Sequence, residues 1–560
     1  MLESANLLVL SALKTVSTTF RSVDRAGARI AQRKHANYFL ICAYTLLVAM
    51  EAWTSSAINV LLVDIAGNMG ASSDEASWVI TVYSAAAAVS IVLSHNICKI
   101  TGERLYILLA ALMFGFASCG CAVSGTLASL LIFRVLQGLA GGAFMSRTLV
   151  LLMTHFAPEQ RSRPLRYYLL ILFVIGRVAA PLVSGYLSDL FSWKSLFWVD
   201  AIASLVAAWV FCVAPNREKL LPPPARRKMH FDFFGAALLM AGVAGIQLTM
   251  SRGEVDGWFG SLLIRAAFLA GIFATGGFIA WQLSPSNRHP LVHMRHLLTR
   301  NLFVVVLLGV LLGTLFSAVI YVFPFYLRVC EAHSAFQTGC LLSVVGIPMV
   351  GLGLIAPHFV EMVGRWGGRK VLTIGLGLQI LSAALMIPLM TSDTPDIYLL
   401  PSLALSGAFI FFTAVGLAVA GFALVPIRRI SNARTLYFGA RQLGNSIGIS
   451  LGIILLDRRQ AFHSQRLLES FFLRNRSSLA ASPDMSMQSN VQELGKAVMH
   501  QSLVLSYQDM FAAVIAVSLI AMACAWMLSG STPSTRLPQH EDSVPEIESS
   551  AYEAEFLALE

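Results

Sequence analysis

The chain has 560 residues and a formal net charge of +10, with 56% hydrophobic residues, a mean hydropathy of +0.71 and only 12% charged residues. Soluble proteins carry about 25% charged residues, so this composition excludes a cytoplasmic enzyme, a disordered scaffold and a nucleic-acid-binding protein. It predicts a protein that crosses a membrane many times.

Fourteen apolar segments follow one another along the chain, each close to the ~20 residues that a helix needs to cross the hydrocarbon layer. Only helices or a closed barrel satisfy the backbone in lipid, and these segments lack the alternation of strands. The sequence therefore predicts an all-α polytopic membrane protein with fourteen transmembrane helices. We number them spans 1 to 14, in order 38–61, 75–95, 105–124, 127–150, 165–187, 194–214, 233–250, 261–282, 302–325, 338–358, 370–391, 398–425, 437–456 and 507–528.

The basic residues predict which side each loop faces. Lys and Arg are concentrated before span 1, between spans 6 and 7, and between spans 10 and 11. Because cytoplasmic loops are enriched in Lys and Arg, we expect a plasma (inner) membrane protein with both termini in the cytoplasm. Residues 1–37 then form a cytoplasmic segment, and the polar, acidic tail 529–560 is expected to be disordered there.

Two short, basic, glycine-bearing loops indicate an internal repeat. Each follows the second span of a six-span block, and we expect them to act as gating loops that hold two halves together by charge and helix-end contacts. The residues concerned are Lys99, Gly102 and Arg104 after span 2, and Arg365, Arg369 and Lys370 after span 10.

This repeat predicts the domain organisation. Residues 38–214 would form an N-terminal six-helix half, and residues 302–528 a C-terminal half with a long outer loop at 457–506. The central segment 215–301 would supply a loop and two linker helices. Parallel six-helix halves around a cavity at the membrane midplane are a transporter architecture.

Spans 4 and 5 contain sequence motifs. Span 4 is similar to the RxxQGxxxG motif of the major facilitator superfamily, with Arg134, Gln137, Gly138 and Gly142. Span 5 resembles the antiporter motif GxxxGPxxGG, with Gly176, Ala180, Pro181, Ser184 and Gly185. These small residues let two helices pack closely, and Pro181 removes a backbone hydrogen bond and favours a bend. The motif predicts either a sliding seam or ordinary close packing.

Further matches resemble the fourteen-span drug:proton antiporters of the EmrB/QacA type. They are Asn59-Val60, Ile65-Ala66, Trp78 to Tyr83, Arg161, Phe231 to Gly235, Gly257-Trp258 and Arg441 to Gly448. The resemblance implies multidrug efflux: proton-coupled export of amphipathic or cationic small molecules by alternating access. Its partners would be the substrate, protons, the lipid bilayer and, in a host with two membranes, a periplasmic adaptor protein docked on 457–506.

Four ionisable residues inside the spans are candidates for proton coupling, because such groups are costly in lipid and usually functional. Glu51 and Arg177 each lie roughly 15 Å from the outer ends of their spans, which makes an ion pair feasible. Arg134 lies about 10 Å from its outer end, within reach of Glu51. Asp200 lies about 9 Å from the outer edge, a depth that favours a hydrated interfacial acid. Glu51 is the predicted proton carrier, tuned by Arg134 and Arg177.

One departure from the family bears on this prediction. The EmrB/QacA antiporters carry an acidic residue at the position of Thr54, and Glu51 lies one turn away on the same face of span 1. Glu51 either replaces that acid or is a structural partner of Arg177. Arg441 lies near the inner end of span 13 and is expected to reach the interface, with no role beyond its motif match.

Other functions are less consistent with the sequence. No phosphate-binding loop and no clustered metal ligands occur, so neither ATP, a metal nor another cofactor is expected, and the chain is not predicted to be an enzyme. Two alternatives stay open. One is a dedicated proton-coupled exporter of one metabolite or siderophore, which the additional Arg177 favours because a cation in the cavity suits an anionic substrate. The other is a non-transporting membrane sensor with the same fold.

Overall fold

Helices make up all the regular structure in the part of the chain that is described. The computed structural model describes residues 45–155, 162–213, 231–287, 289–292, 294, 299–355, 366–391, 394–421, 430–474 and 486–528. The expected cytoplasmic segment 1–37, the acidic tail 529–560 and Arg365 lie outside these residues. The words inner and outer below refer to the predicted orientation.

The helices match the predicted spans closely. In chain order they are Thr45–Met69, Ser73–Thr101, Glu103–Val123, Leu127–His155, Ser162–Phe173 continued through the π-helical turn Val174–Ala179 to Ala180–Leu190, Lys194–Val213, Phe233–Arg252, Leu262–Leu283, Arg300–Ser317 continued through the π-helical turn Ala318–Val322 to Phe323–Val329, Ala335–Val344 with Gly346–Leu354, Gly368–Leu389, Leu400–Ala420, Ile430–Arg474 and Ser486–Trp526.

Twelve helices in the described part of the chain are long and apolar enough to cross a membrane. The remaining predicted spans, 6 and 13, lie within the helices Lys194–Val213 and Ile430–Arg474. The all-α polytopic fold is confirmed, and the count of fourteen transmembrane helices stays a prediction.

The segment 457–506 differs from the prediction of a long outer loop. Span 13 continues as helix to Arg474, and span 14 begins as helix at Ser486, so both extend well beyond their apolar parts. Hydropathy detects only the apolar part of a helix, whereas the flanking Gln, Arg, Leu and Glu residues are good helix formers in water. Arg459 and His463 both contact Asp509 across the two helices. We call this pair of extensions the outer hairpin.

Helix packing follows the predicted repeat. Span 2 packs on span 4 as span 10 packs on span 12, and span 3 packs on span 6 as span 11 packs on span 14. The two halves meet mainly where span 5 contacts span 10 and where span 13 contacts span 2. Exchanging spans 1–6 for spans 9–14 turns each of these contacts into its counterpart, as a parallel repeat requires.

The predicted gating loops share one backbone feature. Gly102 and Gly367 have φ of +83° and +82°, a region that only glycine enters readily. Each glycine directly precedes the next helix, so the repeat extends to the turn. Arg369 donates to the carbonyl oxygen of Leu528 at 3.2 Å, and Lys370 is exposed.

Span 7 contacts both halves. Near its outer end, Gln247 and Ser251 form hydrogen bonds with Ser450 of span 13, and the Arg252 guanidinium lies 5.4 Å from the ring of Trp78 in span 2. Span 7 therefore packs against the seam between spans 2 and 13, and span 8 packs on span 7.

Candidate functional site

Arg134 lies in a buried polar cluster between spans 2 and 4. Its side chain is 0% exposed; Nε donates to the carbonyl oxygen of Val79 at 2.9 Å, and Nη1 donates to Oε1 of Gln137 at 2.8 Å. The guanidinium lies 4.3 Å from the ring centroid of Tyr83. Nη2 has no hydrogen-bond partner among the described residues. A buried cation with a spare donor is suited to binding a carboxylate.

Asp200 supplies a carboxylate to the same cluster. Its Oδ2 accepts hydrogen bonds from Oγ1 of Thr54 at 2.7 Å and Nε2 of Gln137 at 3.3 Å, and the residue is only 1% exposed. The expectation of a hydrated interfacial acid is therefore wrong, because span 6 turns Asp200 toward spans 1 and 4. The side chain of Thr54, where the family carries an acid, instead contacts an acid from span 6.

Glu51 lies in a separate site on span 1. It is 6% exposed, and Oε1 accepts a hydrogen bond from Oγ of Ser55 at 2.9 Å. The expected ion pair with Arg177 does not form, because Arg177 donates to Oγ of Ser56 at 2.9 Å instead. Arg134 is not a partner of Glu51 either, since its hydrogen bonds go to Val79 and Gln137.

Two arginines from opposite halves meet near Glu51. The guanidinium carbons of Arg177 in span 5 and Arg441 in span 13 lie 4.4 Å and 5.0 Å from the ring centroid of Phe316 in span 9. Both arginines interact electrostatically with Glu51 and with each other. Sequence analysis missed Arg441 because its depth suggested an interfacial residue. The available signal was the polar run Arg441, Gln442 and Asn445 within an otherwise apolar span.

The small residues of span 5 form the seam with span 10. A Cβ added to Gly185 would lie 2.4 Å from the carbonyl oxygen of Ala335, and one added to Gly339 would lie 2.2 Å from that of Pro181. Ala180 and Ser184 are buried beside them. Gly176 faces span 1, where its Cβ would lie 2.7 Å from that of Ala52.

The sequence predicted a bend at Pro181, and the structure has a π-helical turn, Val174–Ala179, shortly before this residue. Pro181 has no N–H to donate to the carbonyl of Arg177, so the regular hydrogen-bond ladder cannot continue. Gly346 of span 10 packs against the carbonyl group of Arg177. A Cβ added to Gly346 would lie 2.8 Å from that carbonyl oxygen. The proline thus shapes the middle of the seam.

The glycines of span 4 hold it against span 2. Cβ atoms added to Gly138 and Gly142 would each lie 2.5 Å from a carbonyl oxygen, of Tyr83 and Ala87 respectively. This contact lies within the N-terminal half. It fixes the depth of Arg134 and Gln137, which lie on the same helix.

Charged groups join the halves on the outer side. Asp64 at the end of span 1 forms a salt bridge with Arg328 at the end of span 9. Asp189 at the end of span 5 accepts hydrogen bonds from the backbone N–H groups of Ala335 and Phe336, at 3.2 and 3.0 Å. Those N–H groups belong to the first turn of span 10, where an anion is favoured. The outer ends of both halves are therefore tied together.

This architecture defines a class of protein. Two repeated helical bundles meet along two equivalent seams, their outer ends are joined by charge, and buried charges lie inside and between them. It is the architecture of a secondary transporter.

Comparisons with known proteins identify the family. The sequence profile of the Major Facilitator Superfamily matches residues 44–453. The chain is 26% identical over 497 residues to the multidrug export protein EmrB of Escherichia coli. This alignment covers 86% of this chain and 94% of EmrB. It is also 26% identical over 499 residues to the fatty acid resistance protein FarB of Neisseria gonorrhoeae, with the same coverage of both chains.

Solved structures agree on the fold. An auto-inhibited peptide transporter of the POT family superimposes with a TM-score of 0.59 at 13% identity, covering 88% of this chain and 97% of that one. The chain belongs to the Major Facilitator Superfamily, and EmrB is one of the relatives that it resembles along most of its length. It is a multi-pass membrane transporter of small molecules and not an enzyme.

Proposed function

We propose that this protein exports amphipathic small molecules across the inner membrane in exchange for protons, by alternating access. Its curated relatives include export proteins, which supports the direction of transport. The two seams and the outer charge contacts supply surfaces that can part and close as the halves rock. In this proposal both termini are cytoplasmic, as the basic loops predict.

The observation that carries the proton part is the cluster of Asp200, Thr54, Gln137 and Arg134. A carboxylate that is 1% exposed inside a helical bundle costs free energy unless it is protonated or paired. Gln137 contacts both Asp200 and Arg134, and Arg134 keeps one donor free. An ionised Asp200 can therefore recruit Arg134, and a protonated Asp200 can release it, which couples protonation to the packing of spans 1, 4 and 6.

Glu51 is the second candidate acid, and sequence analysis favoured it. Within the described part of the chain its carboxylate accepts one side-chain hydrogen bond, from Ser55 on the same helix, so its protonation changes no hydrogen bond between the described helices. Asp200, by contrast, is bonded from two other spans. We therefore assign the principal coupling role to Asp200.

Transport in proteoliposomes with an imposed pH gradient tests the proposal. Asp200→Asn removes the titrating group but keeps a side chain of the same size, so we expect pH-driven transport to fall by about 100-fold or more while exchange without a gradient persists. Glu493→Gln, an exposed acid on the outer hairpin, is the matched control and keeps wild-type coupling. Unchanged pH dependence in Asp200→Asn would contradict the assignment.

We also propose that the outer hairpin binds a periplasmic adaptor protein. Span 13 continues 18 residues beyond position 456, which is roughly 27 Å of helix. It presents the exposed apolar side chains of Phe462 and Leu468 beside Arg466. Replacing Phe462 and Leu468 with Ser should abolish co-purification of an adaptor encoded by the same host, while transport in proteoliposomes is unchanged. Retained co-purification would contradict this docking surface.

A further inference from the structure

We propose that the exported molecule is an amphipathic anion, whose charged group is bound by Arg177 and Arg441 from opposite halves beside Phe316. This inference rests on the proposed function, since it names the substrate class of the same transporter. The family resemblance implied amphipathic or cationic substrates, and this inference narrows them to amphipathic anions.

The charge balance carries the argument. Arg177 and Arg441 repel each other, and among the described residues one carboxylate, that of Glu51, interacts with both of them. Two guanidinium groups and one carboxylate leave an excess positive charge at a depth where charge is weakly screened. An anion between the arginines removes that excess, whereas a cation increases it.

Hydrogen-bonding capacity points the same way. Arg441 forms no hydrogen bond or salt bridge with any residue in the described part of the chain; its contact is with the ring of Phe316. Arg177 uses one nitrogen on Ser56 and stacks on the same ring. Both side chains and Phe316 are half-buried, so part of each is accessible. Forked guanidinium donors match the oxygens of a carboxylate or sulfonate.

The position of the arginines suits a carrier. Arg177 lies on the seam-forming span 5, and Arg441 lies on span 13, so the distance between them changes whenever the halves rock. Phe316 between them offers an apolar surface for the body of the substrate. An anion held by both arginines is bound when the halves approach and released when they part.

Glu51 then has a defined effect on binding. As a carboxylate it competes with the substrate for the two arginines, so its protonation favours the anion. Protonation that strengthens anion binding would move the proton and the anion in the same direction. Glu51 therefore does not suit exchange, and Asp200 remains the acid that couples exchange. Neutral Glu51→Gln should therefore bind anions more tightly than the wild type does.

Saturable binding to the purified protein in lipid nanodiscs tests the inference. The probes are three matched pairs with decyl, naphthyl and biphenyl bodies, each prepared as a carboxylate and as a trimethylammonium, with binding to empty nanodiscs subtracted. We expect the carboxylates to bind and the cations to bind at least about tenfold more weakly. Arg441→Gln and Arg177→Gln should each raise the Kd of the carboxylates about tenfold or more, and Glu51→Gln should lower it.

Two variants separate charge from folding. Arg441→Lys keeps the charge and should retain part of the affinity, whereas Arg265→Gln, at an exposed position of span 8, should leave the Kd unchanged. Tighter binding of the cations, no saturable binding of any carboxylate, or an unchanged Kd in both Arg→Gln variants overturns the inference. Carboxylate binding without pH-driven transport contradicts the proposed function alone, and pH-driven transport of the cations contradicts the inference alone.

Discussion

At the scale of single residues, the buried carboxylate beside Thr54 comes from span 6 and not from span 1. The EmrB/QacA antiporters that the sequence resembles carry an acid at the position of Thr54 in span 1, whereas here Oδ2 of Asp200 in span 6 accepts a hydrogen bond from Oγ1 of Thr54 at 2.7 Å. Gln137 of span 4 donates to Asp200 and accepts from Arg134, and Thr54 of span 1 donates to the same carboxylate. We therefore propose that Asp200 takes the place of the acid that span 1 lacks.

Swapping the two residues tests this compensation. Asp200→Asn alone should lose pH-driven transport. Adding Thr54→Asp should restore at least about a tenth of it, because the carboxylate at position 54 would lie within hydrogen-bond distance of the side chain at position 200. The measurement is initial transport rate against the imposed pH gradient. Thr54→Asp in the wild-type background should be impaired, since two carboxylates would then meet in a buried site. A double variant as inactive as Asp200→Asn would contradict the compensation.

Sequence analysis found most of these residues but not their partners. Glu51, Arg134, Arg177 and Asp200 were identifiable because charge inside an apolar span is rare. Their pairing depends on the rotation of each helix about its axis, which hydropathy does not determine. A prediction from depth alone therefore paired Glu51 with Arg177, and it did not identify the contact of Arg441 with Phe316.

At the scale of helices, the middle of the seam between spans 5 and 10 depends on close backbone contact, whereas the Asp189 side chain holds its outer end. The motif of span 5 predicted small residues there, but it did not identify the matching glycines of span 10, Gly339 and Gly346. The sequence also predicted a bend at Pro181, and the structure has a π-helical turn shortly before that residue. Motifs show which helix is close-packed, whereas the partner helix follows from the topology of the whole repeat.

Gly339→Ala tests the need for backbone contact. Its Cβ would lie 2.2 Å from the carbonyl oxygen of Pro181, so the seam cannot close without a shift of one helix. We expect transport to fall at least about tenfold and hydrogen–deuterium exchange to rise at the outer ends of spans 5 and 10. Gly351→Ala is the matched control in the same span, because no atom lies within 4 Å of its added Cβ. Equal activity of both variants would argue against a closing seam.

At the scale of the whole molecule, the segment that follows span 7 is tied to the C-terminal half at the outer surface. Glu254, just after span 7, accepts hydrogen bonds from Nε and Nη2 of Arg458, the closest of them at 2.9 Å, and another from Trp258. The hydrogen bonds from Arg458 contribute most to lowering the pKa of Glu254 below its ordinary value of 4.5. The sequence predicted that spans 7 and 8 are an insertion, but it contained no signal for where they pack.

The pH dependence of stability tests this contact. Because the folded protein lowers the pKa of Glu254, its ionised form stabilises the fold above the ordinary pKa, and this contribution is lost as the pH falls through the lowered value. Glu254→Gln should lower the Tm at pH 7 by roughly 1 °C, since the pair is partly exposed, and the difference should vanish at acid pH. Thermal unfolding between pH 7 and 3 measures it, with Glu493→Gln unchanged throughout. A difference that widens in acid would contradict the sign.

The outer hairpin has a practical consequence for imaging. A transporter that is almost wholly embedded in lipid offers few features with which to align single particles by electron microscopy. Two packed helices that continue roughly 27 Å past the end of span 13 provide a rigid landmark for an antibody fragment. The outer hairpin consists of extensions of spans 13 and 14. A fragment bound to it could therefore mark the position of the C-terminal half while leaving the seam between spans 5 and 10 uncovered.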